Sequence, residues 1–80
     1  MLTSGQLRAA RGLLGWNQEN LAKAAGVAVS TVKRMEASNG LIRANTENAW
    51  KVEKALKAAG IALIEEDGAG PGVRWSKATL

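Results

Sequence analysis

The strongest constraint on this chain is a single interruption, at Gly26, in a helical pattern of apolar residues that runs from Gln18 to Ala37. On both sides of the interruption the apolar residues recur at helical spacing, which predicts two short helices near residues 18–25 and 29–37. Glycine adopts a positive φ without steric cost, so Gly26 is suited to the corner between these helices. The pattern predicts a helix-turn-helix whose apolar residues are Leu21, Ala22, Ala25, Val27, Val32 and Met35.

Charge is distributed unevenly along the 80 residues. Residues 1–46 carry six basic and two acidic side chains, a net charge of +4, whereas residues 47–80 carry five of each and are neutral overall. Basic side chains near phosphates release condensed counterions, which is the sequence-independent part of nucleic-acid affinity. Because the excess positive charge coincides with the helix-turn-helix, the sequence favours double-stranded DNA as the ligand.

Capping residues and apolar spacing predict two further helices. Thr3 and Gln6 have the spacing of a capping box, ahead of a first helix that ends at Gly15 and carries Leu7, Ala10, Leu13 and Leu14. A fourth helix near residues 46–59 is capped by Asn45 or Thr46 and buries Ala49, Val52, Leu56 and Ala59. Asn17 caps the second helix, but Asn20 is neither acidic nor glutamine, so we expect no capping box and a slightly weakened start.

The C-terminal segment predicts a β-hairpin. Ile61–Glu65 and Val73–Ser76 resemble strands, and the residues between them favour a turn. The GAGPG sequence lacks the spacing of both nucleotide-binding fingerprints, so a turn is favoured over a phosphate cradle. A lone hairpin is marginally stable, so we expect one apolar face to lie on the fourth helix near Trp50 and the other to meet a second copy. The dimerisation residues are then Trp50, Ile61, Leu63, Ile64, Val73 and Trp75.

The corner between the two central helices carries a family resemblance. Ala22, Gly26, Val27, Val32 and Met35 resemble the matching positions of the lambda-repressor-like (Cro/Xre-type) family of DNA-binding domains. The resemblance implies a mainly α fold with four helices, here followed by a small C-terminal β-hairpin. Residues 1–60 then form the DNA-binding domain and residues 61–80 the dimerisation element. The resemblance also implies that the N-terminal part of the third helix enters the major groove.

Candidate site residues combine this resemblance with the positions that the helices leave exposed. On the third helix the base-contacting candidates are Val29, Ser30, Lys33 and Arg34. Because Ala28 has no capping side chain, local backbone bonds by Ser30 or Thr31 are the alternative to a DNA contact. The phosphate-contacting candidates are Asn17, Gln18, Asn39 and Arg43, and simple capping is the alternative for Gln18. The resemblance also pairs Arg11 with Glu36 as a structural clamp, the alternative being two solvated surface charges.

Two functions remain open at this point. One is a sequence-specific transcriptional regulator, a repressor, that binds DNA as a homodimer. The other is a protein-interaction module, such as an antitoxin or accessory regulator, with a protein partner and a secondary DNA contact. The chain has no Cys, His or Tyr and a single Asp, so we expect no enzyme, no metal site and no cofactor. It has no membrane-spanning apolar run and no signal-peptide pattern, so we expect a cytoplasmic protein.

Overall fold

The computed structural model describes residues 2–37, 40, 42, 45–65 and 68–76. In these ranges the chain forms four helices and then an antiparallel pair of strands: α1 (Ser4–Leu14), α2 (Gln18–Ala25), α3 (Val29–Ala37), α4 (Thr46–Ala58), β1 (Ile61–Ile64) and β2 (Gly72–Trp75). The predicted fold class, mainly α with four helices and a C-terminal hairpin, is confirmed. None of the helices in the described ranges is both long and apolar enough to cross a membrane.

Side chains cap the starts of three helices. Thr3 and Gln6 form the predicted capping box at α1, because each accepts a hydrogen bond from the other's backbone N–H, at 3.1 and 2.9 Å. At α4 the N-cap is Asn45 rather than Thr46, and its side-chain oxygen accepts from the N–H of Asn48 at 2.7 Å. These bonds satisfy N–H groups that have no partner inside the helix.

The start of α2 corrects one expectation. Asn20 does complete a capping box: its Oδ1 accepts from the N–H of Asn17 at 3.0 Å, while the Oδ1 of Asn17 accepts from the N–H of Asn20 at 2.7 Å. The amide oxygen of asparagine therefore does here what glutamate or glutamine usually does at this position. The predicted weakening of this helix start was wrong.

The turn between α2 and α3 depends on a left-handed glycine, as predicted. Gly26 has a φ of 72°, and its N–H donates to the carbonyl oxygens of Ala22 and Lys23. The N–H of Val27 also donates to Ala22, at 3.0 Å. These bonds satisfy the last carbonyl groups of α2 and redirect the chain toward α3 within a few residues.

The core lies between the helices and one face of the hairpin. Its largest fully buried side chains include Leu7, Leu21, Val32, Met35, Val52, Leu56 and Ile61. Leu13, which was expected on the apolar face of α1, is instead 41% exposed. At about 100° per residue it lies roughly 90° from the centre of the stripe formed by Leu7, Ala10 and Leu14, so it sits at the edge of the buried face.

The hairpin packs against the helical part through one face. Ile61 pairs with Trp75 and Leu63 with Val73, and residues directly opposite each other share a face of the sheet. Ile61 is fully buried, and Leu63 and Val73 pack against the core between α1 and α4. Of the expected apolar residues, Ile64 is therefore the one on the opposite face. As expected, the apolar residues of the hairpin occupy both faces, but Ile64 alone of this set lies on the outer one.

A side chain of α1 holds the hairpin in place. The Nε2 of Gln6 donates to the carbonyl oxygens of Ile64 and Gly72, at 2.9 and 3.0 Å. These two residues pair across β1 and β2. Gln6 therefore belongs to the capping box of α1 and to the hairpin attachment at the same time.

Trp50 does not cover the hairpin. Its side chain is 57% exposed, and it lines a groove together with Ala24, Ala25 and Gly26 at the C-terminal end of α2. The hairpin contacts α4 through β1, and the ring of Trp75 lies near Gly60, just after the end of α4. Trp50 was expected to lie beside the buried stripe, and it does, but on the side that faces α2.

Candidate nucleic-acid interface

The exposed side of α3 carries most of the base-contacting candidates. Ser30, Lys33 and Arg34 are exposed, whereas Val32 and Met35 point into the core. Val29 is half-buried at the first position of the helix. One helix face is thus apolar and anchored, and the adjoining face presents a hydroxyl, an ammonium and a guanidinium to solvent. These are the groups that hydrogen-bond base edges and phosphates.

A cleft joins α3 to the start of α2. It has a volume of about 460 Å³ and is lined by Asn17, Gln18, Glu19, Val29 and Lys33. The structure therefore brings two phosphate-contacting candidates and two base-contacting candidates to one surface. Asn39 and Arg43, the other two phosphate-contacting candidates, lie outside the described residues.

Glu36, near the end of α3, is held by Arg11 of α1. The Nε of Arg11 donates to Oε2 of Glu36 at 2.6 Å, and its Nη2 donates to Oε1 at 2.7 Å. The side chain of Glu36 is only 5% exposed and that of Arg11 is 21% exposed. The contact that the resemblance implies is present, and burial excludes the alternative of two solvated surface charges. Two parallel bonds in this geometry fix direction as well as distance.

Two further contacts connect this ion pair to the first residue of α2 and to the segment that precedes it. The Nε2 of Gln18 donates to Oε1 of Glu36 at 3.1 Å, and the Nη1 of Arg11 donates to the carbonyl oxygen of Trp16 at 3.0 Å. Gln18 is therefore more than a capping residue at the start of α2. A side-chain amide has two N–H groups, so one remains for a ligand in the cleft.

The contacts around Glu36 determine its charge state. Burial alone would raise the pKa of this carboxyl group, but it is outweighed by hydrogen bonds from Arg11 and Gln18 and by the positive charges of Arg11 and Arg8. The pKa of Glu36 consequently lies below its ordinary value. The hydrogen bond to Glu36 in turn raises the pKa of Arg11. Glu36 thus stays ionised at neutral pH, with its negative charge neutralised locally.

Two residues of α1 that sequence reasoning did not assign to the site cap the C-terminal end of α3. The Oγ of Ser4 donates to the carbonyl oxygen of Met35 at 2.7 Å, and the Nη1 of Arg8 donates to that of Glu36 at 2.6 Å. The positive charge of Arg8 also interacts favourably with the negative, C-terminal end of the helix dipole. The contacts join residues 31 and 28 positions apart, so no local motif signals them.

Comparison with known families gives one match. A family model described as helix-turn-helix, of the Cro/C1 type, matches residues 7–60. The match runs from α1 through α4 and includes the cleft and the Arg11–Glu36 pair, but not the hairpin. No curated protein matches the chain.

The first prediction concerns the stability of the Arg11–Glu36 pair. Arg11→Ala and Glu36→Ala should each lower the free energy of unfolding by about 3–5 kcal/mol, because each leaves a charge without its partner in a largely buried site. The double variant should lose clearly less free energy of unfolding than the two single variants lose together, because it leaves no unpaired charge. The difference is a coupling energy of about 1–3 kcal/mol. Urea denaturation of the four proteins at pH 7 measures this.

The control for this cycle is the exposed pair of Glu47 and Lys51, whose charged atoms are 3.5 Å apart. The same cycle there should give a coupling energy below about 0.5 kcal/mol, the usual value for an exposed helical pair. Additive losses at Arg11 and Glu36, as at the control pair, would contradict the prediction.

The second prediction is a pH dependence. Because the pKa of Glu36 is lower in the folded than in the unfolded chain, its contribution to stability is complete above the unfolded value, about 4.3, and is lost as pH falls through the folded value. Between pH 6 and pH 3 the wild type should therefore lose more stability than Glu36→Gln does. Urea denaturation across this range tests it, with Glu47→Gln, an exposed position, as the control that should follow the wild type. Parallel curves for Glu36→Gln and the wild type would refute the assignment.

Proposed function

Because the chain belongs to the Cro/C1-type helix-turn-helix family of DNA-binding regulators, we propose that it is a sequence-specific transcriptional repressor. In this proposal it acts in the cytoplasm as a homodimer, with α3 in the major groove of its operator. The observation that carries the proposal is the cleft shared by the start of α2 and the exposed side of α3. A DNA backbone bound at the start of α2 would position the exposed side of α3 next to the base edges in the major groove.

Base reading is assigned to the exposed side of α3. Arg34 and Lys33 suit the O6 and N7 acceptors of guanine, Ser30 tolerates several bases, and Val29 can contact a thymine methyl group. The support for this assignment is exposure: Ser30, Lys33 and Arg34 are open to solvent, with Ser30 in the first turn of the helix and Arg34 in its last turn. Among the described residues, the side chain of Ser30 makes no hydrogen bond to the local backbone that would compete with this role.

Phosphate contact is assigned to the start of α2. The first N–H groups of a helix and its dipole favour an anion, and Gln18 can donate its second amide N–H to a phosphate oxygen while the first stays on Glu36. Asn17 uses its side-chain oxygen for capping, which leaves its amide N–H groups for the same anion. Asn39 and Arg43 are kept as phosphate contacts on sequence grounds.

The homodimer is assigned to the hairpin, but to fewer residues than the sequence indicates. Ile61 is buried inside the single chain, Leu63 and Val73 pack against its core, and Trp50 lines the groove beside α2. This leaves two residues: Trp75, which shares the inner face with Ile61 but is 40% exposed, and Ile64, which lies on the outer face. For a dimer to read DNA, this contact must place the two α3 helices about 34 Å apart, one turn of DNA.

The third prediction separates base reading from positioning. Arg34→Ala and Lys33→Ala should each cost about 1–3 kcal/mol of binding free energy, mainly on the preferred operator. Gln18→Ala and Arg43→Ala should weaken operator and random duplex alike, because phosphates carry no sequence information, and Arg43→Ala should lower the salt slope by about one. Binding isotherms on a selected operator and on random duplex, at several salt concentrations, measure both effects.

The matched control for the DNA measurements is Lys57→Ala, which removes a positive charge from an exposed position on α4. It should leave both isotherms almost unchanged. If Lys33→Ala and Arg34→Ala weakened both DNAs equally, α3 would be an electrostatic surface only and the proposed sequence reading would fail.

The fourth prediction concerns the dimer. Trp75→Ala should raise the dimer dissociation constant by about tenfold or more, as expected for a buried aromatic anchor at an interface, whereas Trp50→Ala should not change it. Sedimentation equilibrium of the full chain over a concentration series measures this. A chain truncated at Gly60 is unsuitable because it would remove Ile61 from the core. A wild type that stays monomeric at every concentration would rule out the dimer.

A further inference from the structure

A second concave surface lies away from the proposed DNA-binding face. This groove has a volume of about 460 Å³ and runs between the C-terminal end of α2 and one flank of α4. Its lining includes the methyl groups of Ala25, Ala55 and Ala58. Trp50, Lys51 and Lys54 also line it. We name it the Trp50 groove. It and the DNA-facing cleft lie at opposite ends of α2, since one is lined by residues 24–26 and the other by residues 17–19.

The Trp50 groove combines an apolar surface with positive charge. The ring of Trp50 is more than half exposed, and the Nζ of Lys54 lies 4.9 Å from its centroid. That cation–π contact keeps an ammonium group beside the apolar surface. Within the described part of the chain Lys54 has no ion pair, whereas Lys51 shares its charge with Glu47 at 3.5 Å. A ligand in the groove would therefore contact the alanine methyl groups and the indole of Trp50, and would lie beside the unpaired ammonium group of Lys54.

These features select the chemistry of the occupant. An aromatic or branched aliphatic side chain would cover Trp50 and the alanine methyl groups, and a neighbouring carboxylate would pair with Lys54. Phosphate contacts require cations but gain nothing from an apolar floor, so DNA fits less well. A two-fold contact between the same grooves of two copies would bring lysines face to face, at a cost in repulsion. We infer that the Trp50 groove binds an acidic, amphipathic segment of a partner protein.

The location of the groove allows a partner segment and DNA to be bound at the same time. Because the groove and the cleft are at opposite ends of α2, a partner segment can be held while the other end of the helix faces DNA. Neither Trp50 nor Lys54 belongs to the proposed base-reading or phosphate-contacting set. The DNA-bound protein therefore remains able to recruit an acidic partner.

Selection from a random peptide library displayed on phage, with the full chain as bait, tests this inference without assuming a sequence. The selected peptides should combine aromatic or aliphatic residues with aspartate or glutamate. Synthesised individually, they should bind Trp50→Ala and Lys54→Glu about tenfold or more weakly than the wild type, the loss expected for one interface anchor. Lys57→Glu is the matched control, because it makes the same charge change on α4 outside the groove, and it should bind almost as the wild type does.

Several outcomes would overturn the inference. These are no enrichment, neutral or basic selected peptides, peptides that bind Trp50→Ala as tightly as the wild type, and equal losses in Lys54→Glu and Lys57→Glu. Dissociation of the dimer by Trp50→Ala would identify a second copy as the occupant instead. Operator binding by Lys54→Glu should match that of Lys57→Glu, and a selective loss in Lys54→Glu would make the groove a DNA contact. These measurements do not depend on whether α3 reads sequence.

Discussion

The buried carboxylate of Glu36 is the interaction on which the arrangement of the first three helices depends. It lies on α3, receives two hydrogen bonds from α1 and one from α2, and is 5% exposed. A buried charge is tolerated only when its partners are in place, so Glu36 contributes less to net stability than to selecting one relative position of the helices. The proposed phosphate contact, Gln18, is one of those partners, so the start of α2 and the exposed side of α3 are held in one geometry.

Much of this organisation was predictable because it is local. Helical spacing of apolar residues located four helices to within a residue or two, and Gly26 was recognisable as the turn because a left-handed backbone favours glycine. Thr3 and Gln6 gave the first capping box from their spacing alone. The Arg11–Glu36 contact joins residues 25 positions apart and came from the family resemblance, since no spacing rule pairs them.

The remaining features were not predicted, for identifiable reasons. Asn20 was misjudged because the usual capping box was taken to require glutamate or glutamine, although the requirement is a carbonyl oxygen within reach of Asn17. Ser4 and Arg8 were missed because their acceptors are backbone carbonyls, which no sequence pattern displays. Trp50 was assigned to the hairpin because periodicity places a residue beside the buried stripe of α4 without telling which neighbour it meets.

The attachment of the hairpin through Gln6 has a consequence for how the chain is made. Gln6 lies in the first helix, yet its two acceptors are 58 and 66 positions further along. On the ribosome, α1 can cap itself as soon as it emerges, but its contacts with the last strand must wait until Gly72 has been synthesised. Closing so long a loop is slow compared with forming a helix. The flank of α1 that the hairpin covers therefore stays open until the residues from Ile64 to Gly72 have been synthesised.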